Sequence, residues 1–115
     1  MSKRPYSKFR RVGDFVFVSG QTGFNSATRT IGKTVEEQTE QTLKNVKAAL
    51  EEAGASMKDV VKCSVFLKDM TEFSNMNSVY VKFFDDVPPA RTTVGAPLSS
   101  PKMMVEIDAI AYVPE

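Results

Sequence analysis

The chain contains no histidine. That removes the side chain most often used as a general base near neutral pH. With it go the Ser-His and Cys-His nucleophilic pairs and most transition-metal sites. It contains one cysteine, so no internal disulfide can form and no thiolate-ligated metal site can be built; a reducing compartment fits. That cysteine, Cys63, lies within Val60-Val61-Lys62-Cys63-Ser64-Val65-Phe66-Leu67, where a buried structural thiol is the expected state. Net charge is also lacking. Fifteen basic against 14 acidic side chains leave +1, which gives no general field for nucleic acid or an anionic membrane. Lys3, Arg4, Lys8, Arg10 and Arg11 are a local basic cluster, read first as a solvated edge and second as an anion-attracting rim. No apolar run reaches transmembrane length, and the opening Met1-Ser2-Lys3-Arg4-Pro5-Tyr6 lacks the apolar core of a signal peptide. The expectation is a cytoplasmic protein with no membrane partner.

What is present is an ordinary globular composition, 42% hydrophobic and 25% charged over 115 residues, sized for one domain spanning 1–115. Residues 8–12 and 14–19 read as a hairpin turning at Val12-Gly13-Asp14. Its second strand is apolar on both faces, as a central strand is. It ends at Ser19-Gly20-Gln21, where glycine lets a ligand or another backbone approach. Thr22 to Lys33 reads as a loop with one short strand near Arg29–Ile31. Thr34-Val35-Glu36-Glu37 is a capping box that opens a helix. Thr39, Leu43, Val46, Leu50 and Ala53 form its apolar stripe, and Gly54 stands at its C′ position.

Val60 to Leu67 predicts a strand, again apolar on both faces. Asp69 or Thr71 caps a second helix to about Phe84, with Phe73, Met76, Tyr80, Phe83 and Phe84 along one apolar, core-type face. A strand from Arg91 to Ala96 and a loop from Pro97 to Lys102 precede the longest strand, Met103 to Val113. There Met103, Val105, Ile107, Ala109, Ala111 and Val113 face one side. Met104, Glu106, Asp108, Ile110 and Tyr112 face the other. The order β-β-α-β-α-β-β predicts an α+β fold in which two helices of comparable length cover one face of a mixed sheet. The other face carries too much apolar area to meet water, so sister subunits are expected to cover it.

Two places could carry chemistry. Pro88-Pro89-Ala90-Arg91-Thr92-Thr93-Val94 ends the second helix, because two prolines remove donors and fix φ. It delivers an arginine to the mouth of a strand. Such an arginine is either a fixed fork for a carboxylate or an ordinary surface charge. Glu106 and Asp108 interrupt an otherwise apolar strand, and a carboxylate in such a place needs a partner or a job. A mutual Arg91–Glu106 salt bridge at a subunit interface is the structural alternative.

The chain resembles the RidA/YjgF family of reactive-intermediate (enamine and imine) deaminases. The resemblance runs in order through Pro5-Tyr6-Ser7, Phe17-Val18-Ser19-Gly20-Gln21, Asn45-Val46-Lys47, Leu50-Glu51-Glu52-Ala53-Gly54-Ala55 and Val65-Phe66-Leu67-Lys68-Asp69-Met70. It continues through Asn77-Ser78-Val79-Tyr80, Pro88-Pro89-Ala90-Arg91 and Val105-Glu106-Ile107-Asp108-Ala109. It implies a chorismate-mutase-like subunit in a homotrimer, with active sites in the clefts between subunits.

The resemblance further implies that Arg91 binds a substrate carboxylate and that Glu106 places the attacking water. Tyr6, Ser19, Gly20 and Asn77 are implied as pocket residues, and Thr93 stands where the family often has cysteine. Arg4 replaces a glycine before Pro-Tyr-Ser, and Lys8-Phe9 replaces Gln-Ala after it. The implied substrates are 2-aminoacrylate-like enamines and 2-imino acids, hydrolysed to 2-keto acids and ammonia without metal or organic cofactor. A non-catalytic trimer that binds 2-keto acids or a regulatory partner is the alternative. RNA cleavage, also attributed to some family members, fits poorly with the charge balance and the lack of histidine.

Overall fold

The computed structural model describes residues 4–85 and 87–114, so Lys3 of the basic cluster lies outside them. The chain order is β1 (Phe9–Val12), β2 (Phe15–Thr22), β3 (Phe24–Asn25), β4 (Thr30–Ile31), α1 (Val35–Glu52), β5 (Val60–Leu67), α2 (Phe73–Tyr80), β6 (Ala90–Gly95) and β7 (Val105–Tyr112). Five strands form one mixed sheet in the order β1-β2-β7-β5-β6. Only β5 and β6 run parallel. The remaining pair, β3 and β4, is a separate antiparallel hairpin.

Helix α1 forms where its sequence signals stand. Thr34 Oγ1 accepts from the Glu37 amide at 3.1 Å, and Glu37 Oε1 accepts from the Thr34 amide at 3.2 Å. Together they satisfy donors that the first turn leaves open. At the other end Gly54 adopts φ +86°, a left-handed turn that side chains disfavour. Between the ends, Leu43, Val46 and Leu50 are fully buried against Val16, Val18, Ile107 and Ala109. Gln38, polar and fully buried, is satisfied at both ends. Its Nε2 donates to the carbonyls of Gly32 and Lys102, and its Oε1 accepts from the Met104 amide.

Three expectations change. The helices are not of comparable length: α1 has 18 residues and α2 has eight. Asp69 accepts from the Thr71 amide and so closes a 3-10 turn, Met70–Glu72, ahead of α2. A second 3-10 turn, Val81–Phe83, ends the segment before Phe84 becomes extended. The Thr22–Lys33 loop contains two short paired strands, not one. The last strand begins at Val105, not Met103, because the Met104 amide bonds to Gln38 rather than to a neighbouring strand.

The alternation along β7 matches the sequence reading. Val105, Ile107, Ala109 and Ala111 are buried under the helices, while Glu106, Asp108, Ile110 and Tyr112 face away. That outer face is strongly apolar. Phe15, Phe17 and Tyr112 are each 43% exposed, and the Phe15 and Tyr112 rings lie 5.2 Å apart.

Candidate active site

The two carboxylates of β7 have different surroundings. Asp108 Oδ1 accepts from the backbone amide of Ser64 on β5 at 2.9 Å, which gives it a structural partner. Glu106 has no hydrogen-bond partner among the described residues. It is half-buried, and burial, with a further contribution from the Asp108 charge, raises its pKa above the usual glutamate value.

The neighbourhood of Glu106 follows from a β-bulge. Val18 pairs with Ala109 and Gln21 with Ile107, so β2 carries one extra residue across Ser19-Gly20. The bulge lays Gly20 beneath the Glu106 carboxylate. A Cβ at Gly20 would fall 2.9 Å from Glu106 Cδ and nearer still to Oε2. Gly20→Ala is therefore expected to displace the carboxylate without unfolding the chain. Any turnover that depends on the Glu106 carboxylate is expected to fall by about tenfold to a hundredfold, with the thermal unfolding midpoint close to wild type. Gly20, Glu106, Tyr6, Arg4, Asn45 and Ser99 all line one hollow of about 500 Å³. Ser19 does not line it; its Oγ donates to the Ser7 carbonyl at 2.6 Å and so pins the segment that carries Tyr6.

Arg91 lies elsewhere. It pairs with Cys63 across β5–β6, on the side of the sheet that α2 covers. Its Nη1 donates to Asn77 Oδ1 at 2.6 Å. Its guanidinium carbon sits 4.6 Å from the Tyr80 ring centre and 5.4 Å from that of Phe73. Thr93, two residues on, faces the same way, and its hydroxyl is buried without a hydrogen-bond partner among the described residues. Burial pushes the neighbouring Cys63 thiol up to about 11, so it stays protonated and weakly nucleophilic.

Within one chain the candidate residues therefore fall into two separate groups. Glu106 and Arg91 lie opposite β5 residues Phe66 and Cys63, in the strands on either side of β5. Strand spacing and rise put their backbones roughly 14 Å apart, and their side chains leave opposite faces. An Arg91–Glu106 salt bridge does not form within the chain. Sequence reasoning grouped Arg91, Glu106, Tyr6, Ser19, Gly20, Asn77 and Thr93. The fold brings Tyr6 and Gly20 to Glu106, and Asn77 and Thr93 to the Arg91 side. The sequence marks Phe73 and Tyr80 only as part of an apolar helix face; the signal for more is their spacing around Asn77.

A second hollow, about 520 Å³, lies between the β3–β4 hairpin and α1. Two of its carboxylates are already engaged, Glu37 in the helix cap and Glu40 with Lys44 at 3.2 Å. Among the described residues, no cluster of three or more potential metal ligands occurs and no helix is long and apolar enough to cross a membrane.

The chain is similar in sequence and fold to several known proteins. The family model described as Endoribonuclease L-PSP matches residues 1–113. A RutC family protein of Pyrococcus abyssi is 45% identical over 109 residues, covering 94% of this chain and 86% of its own. A Dermatophagoides farinae protein named 2-iminobutanoate/2-iminopropanoate deaminase is 36% identical over 110 residues, covering 95% and 86%. The crystal structure of RidA from the Antarctic bacterium Psychrobacter superposes with a TM-score of 0.90 at 36% identity, covering 98% of this chain and 92% of that one. That of Escherichia coli TdcF with bound serine also gives 0.90, at 35% identity and 96% and 90% coverage. With the five-stranded mixed sheet under two helices, these matches establish that the chain belongs to the YjgF/RidA/L-PSP (RutC) family.

Proposed function

We propose that the protein hydrolyses 2-imino acids and their enamine tautomers to 2-keto acids and ammonia, at sites shared between subunits of a homotrimer. The observation that carries this reading is Glu106, a half-buried carboxylate with a raised pKa, no hydrogen-bond partner among the described residues, and a glycine beneath it in an open hollow. Such a group is poised to accept a proton rather than to hold the fold together. The name of the Dermatophagoides farinae relative points to the same chemistry, and the serine bound by TdcF is a small amino acid.

The reaction asks for little. Arg91 binds the substrate carboxylate through its free guanidinium donors. Glu106 takes a proton from water as the oxygen bonds to the protonated imine carbon. The proton then passes from Glu106 to nitrogen; Glu106, again deprotonated, takes the hydroxyl proton as the carbon–nitrogen bond breaks, so that ammonia leaves and the carbonyl remains. Tyr6, in the same hollow, supplies a hydroxyl for the nitrogen or the water; Ser19 is less suited, because its hydroxyl is already committed to Ser7. Neither metal nor organic cofactor enters this scheme.

Because Arg91 and Glu106 leave opposite faces of one sheet, a complete site needs Arg91 from one subunit and Glu106 from its neighbour. The apolar outer face around Phe15, Phe17 and Tyr112 is the surface a second copy would cover.

The test generates 2-iminopropionate or 2-iminobutyrate in situ and follows its loss. Wild type accelerates it over buffer; no acceleration on any imino acid sinks the reading and leaves a keto-acid receptor. Arg91→Ala and Glu106→Gln proteins, unfolded and refolded together, should regain up to about a quarter of wild-type activity, because mixed trimers contain intact shared sites. A site contained within one subunit would show no recovery.

A further inference from the structure

We propose that Phe73, Asn77 and Tyr80 form a cradle that presets the Arg91 guanidinium, so that three positioning residues on α2 set the affinity for the substrate carboxylate. This rests on Arg91 being the carboxylate anchor. The three residues are spaced four and three apart and therefore share one face of the helix. That face meets β6 where Arg91 emerges.

The two rings lie within cation–π range of the guanidinium, at 4.6 and 5.4 Å. Asn77 takes one donor at 2.6 Å, and no carboxylate pairs with Arg91 among the described residues. An arginine has five N–H donors, so most of the fork stays available. The platform is also held in place. Tyr80 is 4% exposed and packs on Phe84 with ring centres 4.8 Å apart. Its hydroxyl has no hydrogen-bond partner among the described residues, and burial raises its pKa well above the usual tyrosine value. The ring thus remains neutral and does not cancel the arginine's charge.

The arrangement restricts the guanidinium before substrate arrives, which lowers the ordering cost of binding. A purely structural contact would instead glue α2 to β6 and leave carboxylate affinity alone.

Phe73 is 36% exposed, so Phe73→Leu tests the cradle with little risk to folding. We expect KM for 2-iminobutyrate to rise about threefold to fivefold, with kcat within about twofold of wild type. Asn77→Ala should raise KM about tenfold. Phe73→Tyr, which keeps a ring, should restore the wild-type KM that Phe73→Leu loses. Binding of 2-oxobutyrate, measured by calorimetry, should weaken by the same factors. Adding Phe73→Leu to Arg91→Ala should cost nothing further, because both act through one group.

The cradle is overturned if Phe73→Leu leaves both KM and 2-oxobutyrate binding unchanged, or if its effect adds in full to that of Arg91→Ala. If wild type binds 2-oxobutyrate but turns over no imino acid, the deaminase reading falls while the calorimetry still judges the cradle. If wild type neither binds nor turns over, both fall.

Discussion

The Glu106→Gln protein is expected to lose about a hundredfold to ten-thousandfold in kcat on 2-iminobutyrate, while binding 2-oxobutyrate at least as tightly as wild type. Glutamine keeps the shape and lies over Gly20 in the same way, but it cannot take a proton from water. It also removes a negative charge from a hollow that, under the proposed function, admits a carboxylate. Loss of rate without loss of affinity separates a proton acceptor from a binding contact. The pH dependence has a definite sign. Burial and the Asp108 charge raise the Glu106 pKa, so the acidic limb of kcat/KM should lie above the ordinary glutamate range.

Stability runs the other way. A carboxyl whose folded-state pKa is raised favours the native state only while protonated. Its contribution is complete below the unfolded-state value and is lost as pH rises through the folded-state value. Glu106→Gln should therefore melt higher than wild type at pH 7, with the difference closing toward pH 4. A melting point that falls on substitution would mean that Glu106 is a structural carboxylate like Asp108.

Arg91→Ala should lower kcat/KM by about tenfold to a hundredfold, chiefly through KM, because a charged donor pair to a carboxylate is worth about 1.5–3 kcal/mol. Arg91→Lys should recover only part of this, since an ammonium cannot span both carboxylate oxygens or stack flat on Phe73 and Tyr80. The measurement is steady-state kinetics at low ionic strength with 2-iminobutyrate, beside an uncharged imine. An equal loss on the uncharged imine would refute carboxylate recognition.

Much of the fold was legible because its signals are local. Thr34 and Glu37 mark the start of α1 by chemistry confined to four residues, and Gly54 marks its end. Alternation along β7 put Glu106 and Asp108 on the side opposite Val105, Ile107 and Ala109, and the structure shows that side facing away from the helices. What escaped needed partners distant in sequence. The start of β7 depends on Gln38, 66 residues before Met104, taking the amide of that residue. The β3–β4 hairpin pairs two residues with two, too short for periodicity to register.

The site divided along the same line. Arg91 at a strand mouth and Glu106 amid apolar neighbours stood out in the sequence. The separate duties of the two acidic residues did not, because only strand register reveals that Asp108 meets the Ser64 amide. Asn77 was implied as a pocket residue by the resemblance alone; only the packing of α2 on β6 reveals that its Oδ1 accepts from Arg91 at 2.6 Å.

The placement of Arg91 and Glu106 on opposite sides of one sheet ties the proposed activity to mass action. A lone subunit would hold both groups and no working site. Specific activity should then fall on dilution below the dissociation constant of the proposed trimer, and added 2-oxobutyrate, by bridging two subunits, should hold that assembly together at concentrations where it otherwise comes apart.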